Sequence, residues 1–124
     1  FNTEPYSEMI KYVMEVYMIQ HYFVYITCKD KNEAISIGRK LLEDRLAACV
    51  NLLHGMESMY HWNDEIETAT EVVLLVKTTQ SQLISVTDTV KKLHSYSTPC
   101  IAAIKVDHLN ADYGTWLLDN LNTY

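Results

Sequence analysis

Residues 71–78 read EVVLLVKT. Val72 through Val76 are all apolar, so a strand here has no polar side to turn to water. The run predicts a central strand, buried on both faces. Upstream, NDEIETAT (63–70) predicts a polar turn region. Before it, Met56, Ser58, Tyr60 and Trp62 alternate with Glu57, Met59 and His61, which is strand spacing. Gly55 allows a bend or bulge between that run and a second strand, AACVNLL (47–53), where Ala48, Val50 and Leu52 recur. Downstream, Ser81 is placed to cap a helix over 82–94, with Leu83, Val86, Val90 and Leu93 on one face. Residues 95–99 break it before Pro99, and CIAAIKV (100–106) predicts a fourth strand.

The flanks complete the pattern. YFVYITC (22–28) is aromatic and β-branched and predicts the first strand. Asp30 or Asn32 then caps a helix over 32–46, with Ala34, Ile37, Leu41 and Leu42 sharing a face. Asn110 caps a last helix to residue 121, with Tyr113, Trp116, Leu117 and Leu121 inward. Two strand–helix–strand units joined by a hairpin predict an α+β, ferredoxin-like (βαβ-βαβ) sandwich with a C-terminal helix over residues 21–124. Two main helices cover only one face of such a sheet. A second copy of the chain is the simplest cover for the other. Residues 1–20 stand apart: Tyr6, Met9, Ile10, Val13, Val16 and Tyr17 recur at helical spacing and predict an amphipathic extension packed on the domain or a neighbour.

Composition narrows the function. With 124 residues, 48% hydrophobic and 21% charged, the chain suits one folded domain. Sixteen acids against ten bases give a formal charge of −6, which argues against nucleic acid as a partner. Five of the acids (Glu57, Asp64, Glu65, Glu67, Glu71) fall in 57–71 without a Lys or Arg, as a solvated hairpin tip or a cation-attracting rim. No run of 18 apolar residues occurs, so no membrane span is expected. Cys28, Cys49 and Cys100 are too sparse for a disulfide framework and predict reduced thiols in a cytoplasmic setting. The chain opens on Phe1, so a removed targeting segment is the alternative.

RLAACVN (45–51), YHW (60–62) with Ile66, EVVLLVKT (71–78), HSYSTP (94–99) and YGTW (113–116) together resemble the CutA family of divalent-cation tolerance proteins, and an animal-type member is expected. The resemblance spans residues 23–118. It implies a homotrimer whose sheets face inward, no catalytic reaction, and binding of copper and other divalent cations. Animal members are also associated with the anchoring and processing of acetylcholinesterase, which implies a scaffold or interaction role as the alternative. The family pattern after the histidine is Pro-Tyr-Glu, then a hydrophobic or Thr, Pro and an acid. Here Ser95, Ser97 and Cys100 replace the proline and both acids, and Asp64 stands where the hairpin glycine is expected. Two carboxylates lost and one thiol gained imply a preference shifted toward copper(I), zinc or mercury.

His94, Cys100 and Cys28 form the best ligand set, since Cys28 ends the first strand and Cys100 begins the fourth. An imidazole with one or two thiolates holds copper or zinc. The competing reading makes both cysteines small buried apolar groups and His94 a hydrogen-bonded helix end. His61, Asp64 and Glu65 at the hairpin tip are a looser cation site. Tyr60, Trp62, Lys77, Tyr96, Tyr113 and Trp116 match shared positions of the family and line a cleft between subunits for a small anion, or pack the trimer interface. Lys77, a charge at the end of a buried strand, needs a partner, and Glu71 is one candidate. No third group orients a Cys100–His94 pair, and CKDKNE (28–33) lacks the arginine of an acyl-phosphate site, so an enzyme is not expected.

Overall fold

β1 (His21–Cys28) and β3 (Glu65–Thr79) occupy the middle of a four-stranded sheet whose order is β2-β3-β1-β4. β2 spans Cys49–Trp62 and β4 spans Ile101–Val106, and all three pairings are antiparallel. α1 (Lys31–Glu43) links β1 to β2. A 3-10 turn (Gln80–Gln82) and α2 (Leu83–Leu93) link β3 to β4, and α3 (Ala111–Asp119) follows. This computed structural model describes residues 7–10 and 18–122. The α+β ferredoxin-like arrangement and the interior position of EVVLLVKT are as expected.

The core follows from strand alternation. Val24, Ile26 and Cys28 of β1 and Val72, Leu74 and Val76 of β3 turn toward the helices. Ala34, Ile37 and Leu41 of α1 and Val86 and Val90 of α2 meet them. Gly38 lets α1 approach closely, because a Cβ there would lie 3.1 Å from Val50 Cγ2 and 3.3 Å from Leu74 Cδ1. Each fully buried Val or Leu contributes about 1.5–3 kcal/mol relative to exposure.

Several expectations are corrected. NDEIETAT is not a turn region: only Asn63 and Asp64 turn, with φ of 50° and 63°, and β3 starts at Glu65. Two successive left-handed residues make the tight hairpin link that suits the twist of the flanking strands. β2 accordingly runs unbroken from Cys49 to Trp62. Gly55, at φ 79°, accommodates a bulge between Leu53 and Met56, as its position suggested. Ser81 caps nothing; its hydroxyl bonds Thr79 Oγ1 at 3.2 Å inside the 3-10 turn. Asn110 occupies the N-cap of α3 without a side-chain bond, whereas Asp30 does cap α1 through Glu33 N–H at 2.9 Å. Leu42, Leu93 and Trp116 are exposed rather than inward. Leu42 lies about 100° around the helix from Leu41, past the edge of the buried face.

Residues 7–10 are helical, with Met9 and Ile10 exposed. The remainder of the expected apolar stripe (Tyr6, Val13, Val16 and Tyr17) lies outside the described residues. Among the described residues no helix is long and apolar enough to cross a membrane.

Candidate metal centre

Cys28, at the end of β1, is fully buried because it shares the core-facing phase of Val24 and Ile26. Two residues later Asp30 starts α1, which puts Glu33 in the first helical turn, above the end of β1. α2 ends at Leu93, and His94 follows in extended conformation with ψ 140°. The thiol, the Glu33 carboxylate and the His94 ring thereby converge, and one donor atom from each lies within 4.8 Å of the others. Among the described residues this is the one such group of three His, Cys, Asp or Glu side chains.

The three groups are held firmly. Glu33 Oε1 accepts from Lys29 N–H at 3.1 Å, and Oε2 accepts from Ser95 N–H at 3.0 Å. His94 Nδ1 accepts from Tyr96 N–H at 3.0 Å, so that nitrogen carries no proton. Nε2 is then the donor to Thr27 O at 2.8 Å, and it lies 3.7 Å from Glu33 Oε1. Tyr96 stacks obliquely on His94, with centroids 4.8 Å apart, and donates its hydroxyl to Glu71 Oε2 at 2.9 Å.

The electrostatics are uneven. Burial pushes the Cys28 thiol up to about 12, helped by the negative charges of Glu33, Glu71 and Asp30. Burial pulls Glu33 upward too, but hydrogen bonds from Ser95 and Lys29 and the field of His94 outweigh it, and its carboxyl sits below the usual range. Burial and the bond to Glu71 hold the Tyr96 phenol well above the usual range. The resting centre is therefore a protonated thiol beside an ionised carboxylate and an imidazole bonded at both ring nitrogens.

That set fits a divalent ion. Sulfur, oxygen and nitrogen ligands at about 2.0–2.3 Å from one tetrahedral cation stand about 3.3–3.6 Å apart, so donors that lie within 4.8 Å of one another would close by about 1 Å around an ion. A bound ion would displace the thiol proton, and a metal bond at Nε2 would require the ring proton to move to Nδ1, giving up both the Thr27 bond and the bond from Tyr96 N–H. Three protein ligands leave a fourth position open.

The predicted residues divide into separate places. Cys28 and His94 meet, but Cys100 does not join them: it is exposed and outside the donor group. Ile101 pairs with Ile26, so Cys100 is out of phase with the core face on which Cys28 lies. Glu33 takes the third place. Its spacing from Asp30, a cap followed three residues later by Glu, is the sequence signal that marks it. Tyr60 and Trp62 stand exposed on the hairpin, where His61, Asp64 and Glu65 are also exposed. Lys77 does not pair with Glu71, which bonds Tyr96; its Nζ donates to Tyr113 Oη at 3.3 Å. Tyr113 stacks on Trp116, with centroids 5.5 Å apart.

Comparison with known proteins agrees in fold and sequence. The family described as CutA1 divalent ion tolerance protein matches residues 22–120. The divalent-cation tolerance protein CutA of Archaeoglobus fulgidus is 42% identical over 97 residues, 78% of this chain and 94% of that protein. Human protein CutA is 37% identical over 93 residues, 75% of this chain and 52% of the human one. The likeness is thus as strong to an archaeal member as to an animal one. The solved structure of the Archaeoglobus fulgidus protein, described as a periplasmic divalent cation tolerance protein, superposes with a TM-score of 0.80 at 40% identity, over 82% of this chain and 99% of that one.

Proposed function

Because this chain belongs to the CutA1 divalent ion tolerance family, we propose that it is a non-enzymatic, homotrimeric protein that binds copper or zinc at Cys28, Glu33 and His94. The observation that carries the metal reading is the convergence of thiol, carboxylate and imidazole donors within 4.8 Å. A mixed sulfur, oxygen and nitrogen set favours late first-row ions over magnesium or calcium. Copper outranks zinc by the general affinity order, so availability decides between them.

The trimer reading is supported by what one copy leaves bare. β1 ends opposite Val72, so residues 56–71 form a two-stranded ribbon beyond the sheet. Met59, Trp62 and Ile66 on it are 77%, 62% and 70% exposed. A free two-stranded ribbon is at best marginally stable in water. Leu53 and Ile104 on the sheet face away from α1 and α2 are exposed as well. Neighbouring copies of the chain would cover both surfaces.

Native mass spectrometry of reduced protein with stoichiometric copper or zinc tests both parts together. A trimer carrying one metal per subunit, lost in Glu33→Ala, is the expected spectrum. A metal-free trimer would contradict the metal assignment, and a stable monomer would contradict the assembly.

A further inference from the structure

Tyr96 touches the metal centre and the ribbon at once. Its backbone N–H donates to His94 Nδ1 at 3.0 Å, and its ring leans on the imidazole with 53° between their planes. Its hydroxyl reaches the other way and donates to Glu71 Oε2 at 2.9 Å. Glu71 is buried and pairs with Met56 of β2, immediately past the bulge. β1 ends opposite Val72, so Glu71 is the first residue of β3 without a β1 neighbour. It stands at the root of the two-stranded ribbon of residues 56–71.

The N–H bond to His94 cannot survive an ion on that ring. Without metal, Nδ1 offers its lone pair to Tyr96 and Nε2 carries the proton. An ion on Nε2 drives that proton to Nδ1, which then faces Tyr96 N–H as a second donor. An ion on Nδ1 would take the lone pair itself. Either way Tyr96 loses its acceptor, and the contact at 3.0 Å turns repulsive. Residues 95–100 form neither helix nor strand, so no ladder of backbone bonds resists the movement. A shift of about 1 Å at the phenol carries it out of hydrogen-bond range of Glu71. The segment thus has two arrangements, one tied to His94 and Glu71 and one released from both.

We propose that Tyr96 couples occupancy of the metal centre to the ribbon. An ion bound at His94 ejects Tyr96 and releases Glu71, and the Tyr96–Glu71 bond in turn favours the metal-free form. Tyr96 is a positioning residue here, not a ligand. The inference rests on the metal reading at His94. It makes the coupling reciprocal: whatever steadies the ribbon with the Glu71 bond intact weakens metal binding.

The test uses the intact, assembled protein with zinc as the probe. Tyr96→Phe keeps the ring and the backbone N–H but cuts the tie to Glu71. It should bind zinc about tenfold more tightly than wild type, because a hydrogen bond to a charged acceptor no longer has to break. Hydrogen exchange reads the other end. In wild type, zinc should speed exchange at residues 69–71 by about tenfold and leave residues 22–27 of β1 unchanged. Metal-free Tyr96→Phe should show the fast root already, and zinc should add nothing to it. Nitrogen NMR shifts of His94 give a signature that general loosening would not produce: the Nε2–H tautomer in both proteins without zinc, replaced by a metal-bound ring on loading. Zinc bound by wild type with exchange at the ribbon root unchanged, or Tyr96→Phe binding zinc no more tightly, would overturn the coupling while the metal reading stands. No zinc in either protein, with the His94 shifts unmoved, would remove both together. The exchange comparison in wild type needs no variant, so misfolding of Tyr96→Phe does not remove the test.

Discussion

Raising the pH from about 6 to about 8 should tighten zinc binding about 100-fold, because every ion bound must expel one thiol proton. The magnitude follows from the Cys28 environment. With its thiol pushed up to about 12, Cys28 is fully protonated throughout that interval. Glu33, held below the usual carboxylate range, is already ionised and adds no slope. A metal bond at His94 Nε2 moves that nitrogen's proton to Nδ1, in place of the bond from Tyr96 N–H, and releases none. One proton released per ion gives tenfold in affinity per pH unit, about 2.7 kcal/mol over two units. The assay is competition against a fluorescent zinc chelator at three pH values, corrected for the chelator's own protonation. Cys28→Ser should bind zinc more weakly and lose the slope, since a hydroxyl does not ionise there. Cys28→Ala provides the same test should the buried hydroxyl destabilise the core. A zinc affinity independent of pH, or a slope that survives removal of the thiol, would refute the assignment of Cys28 as a ligand.

Three further outcomes concern the scaffold. Arg45 takes a left-handed φ of 54° at the end of α1, where its N–H bonds Leu42 O and Leu46 N–H bonds Leu41 O. Arg45→Gly should therefore stabilise the protein by about 0.5–1 kcal/mol in urea denaturation, and a loss would contradict the strain reading. Leu74→Ala removes a fully buried side chain from the middle of the sheet and should cost about 3 kcal/mol in the same assay; a cost near zero would show a poorly packed core. Glu33 has a folded pKa below its unfolded value, so its contribution is complete above the unfolded pKa and disappears as pH falls through the folded one. Thermal melts between about pH 5 and about pH 3 should show wild type losing more stability than Glu33→Gln, and equal losses would contradict the clasp that Glu33 makes with Lys29 and Ser95.

The fold was legible because its signals are local. Five successive apolar residues in EVVLLVKT leave only an interior strand, and the helical stripe of Ala34, Ile37 and Leu41 fixes the buried face of α1. The hairpin resembles a loop in sequence for a physical reason. Residues 65–70 are polar because their ribbon lies beyond the sheet, and composition there resembles a loop although the backbone pairs regularly with residues 57–62. The exposure of Trp116 was equally hidden, since helical spacing shows which residues share a face but not where that face ends. At the metal centre, two of three predicted ligands meet. Cys100 lies near a strand end in sequence, but alternation across that strand places it on the other side from Cys28. Glu33 is marked instead by its place three residues after Asp30, in the first turn of α1, where it reaches His94 and Ser95. Lys77 meets Tyr113 and Phe23, while Glu71, its candidate acid, bonds Tyr96.

X-ray absorption at the zinc edge of the loaded protein tests the central claim most directly. It should show one sulfur at about 2.3 Å and nitrogen or oxygen ligands at about 2.0–2.2 Å, with the sulfur shell absent in Cys28→Ala and still present in Cys100→Ala. A shell of nitrogen and oxygen alone in the unsubstituted protein, or a sulfur shell lost with Cys100 instead of Cys28, would contradict it.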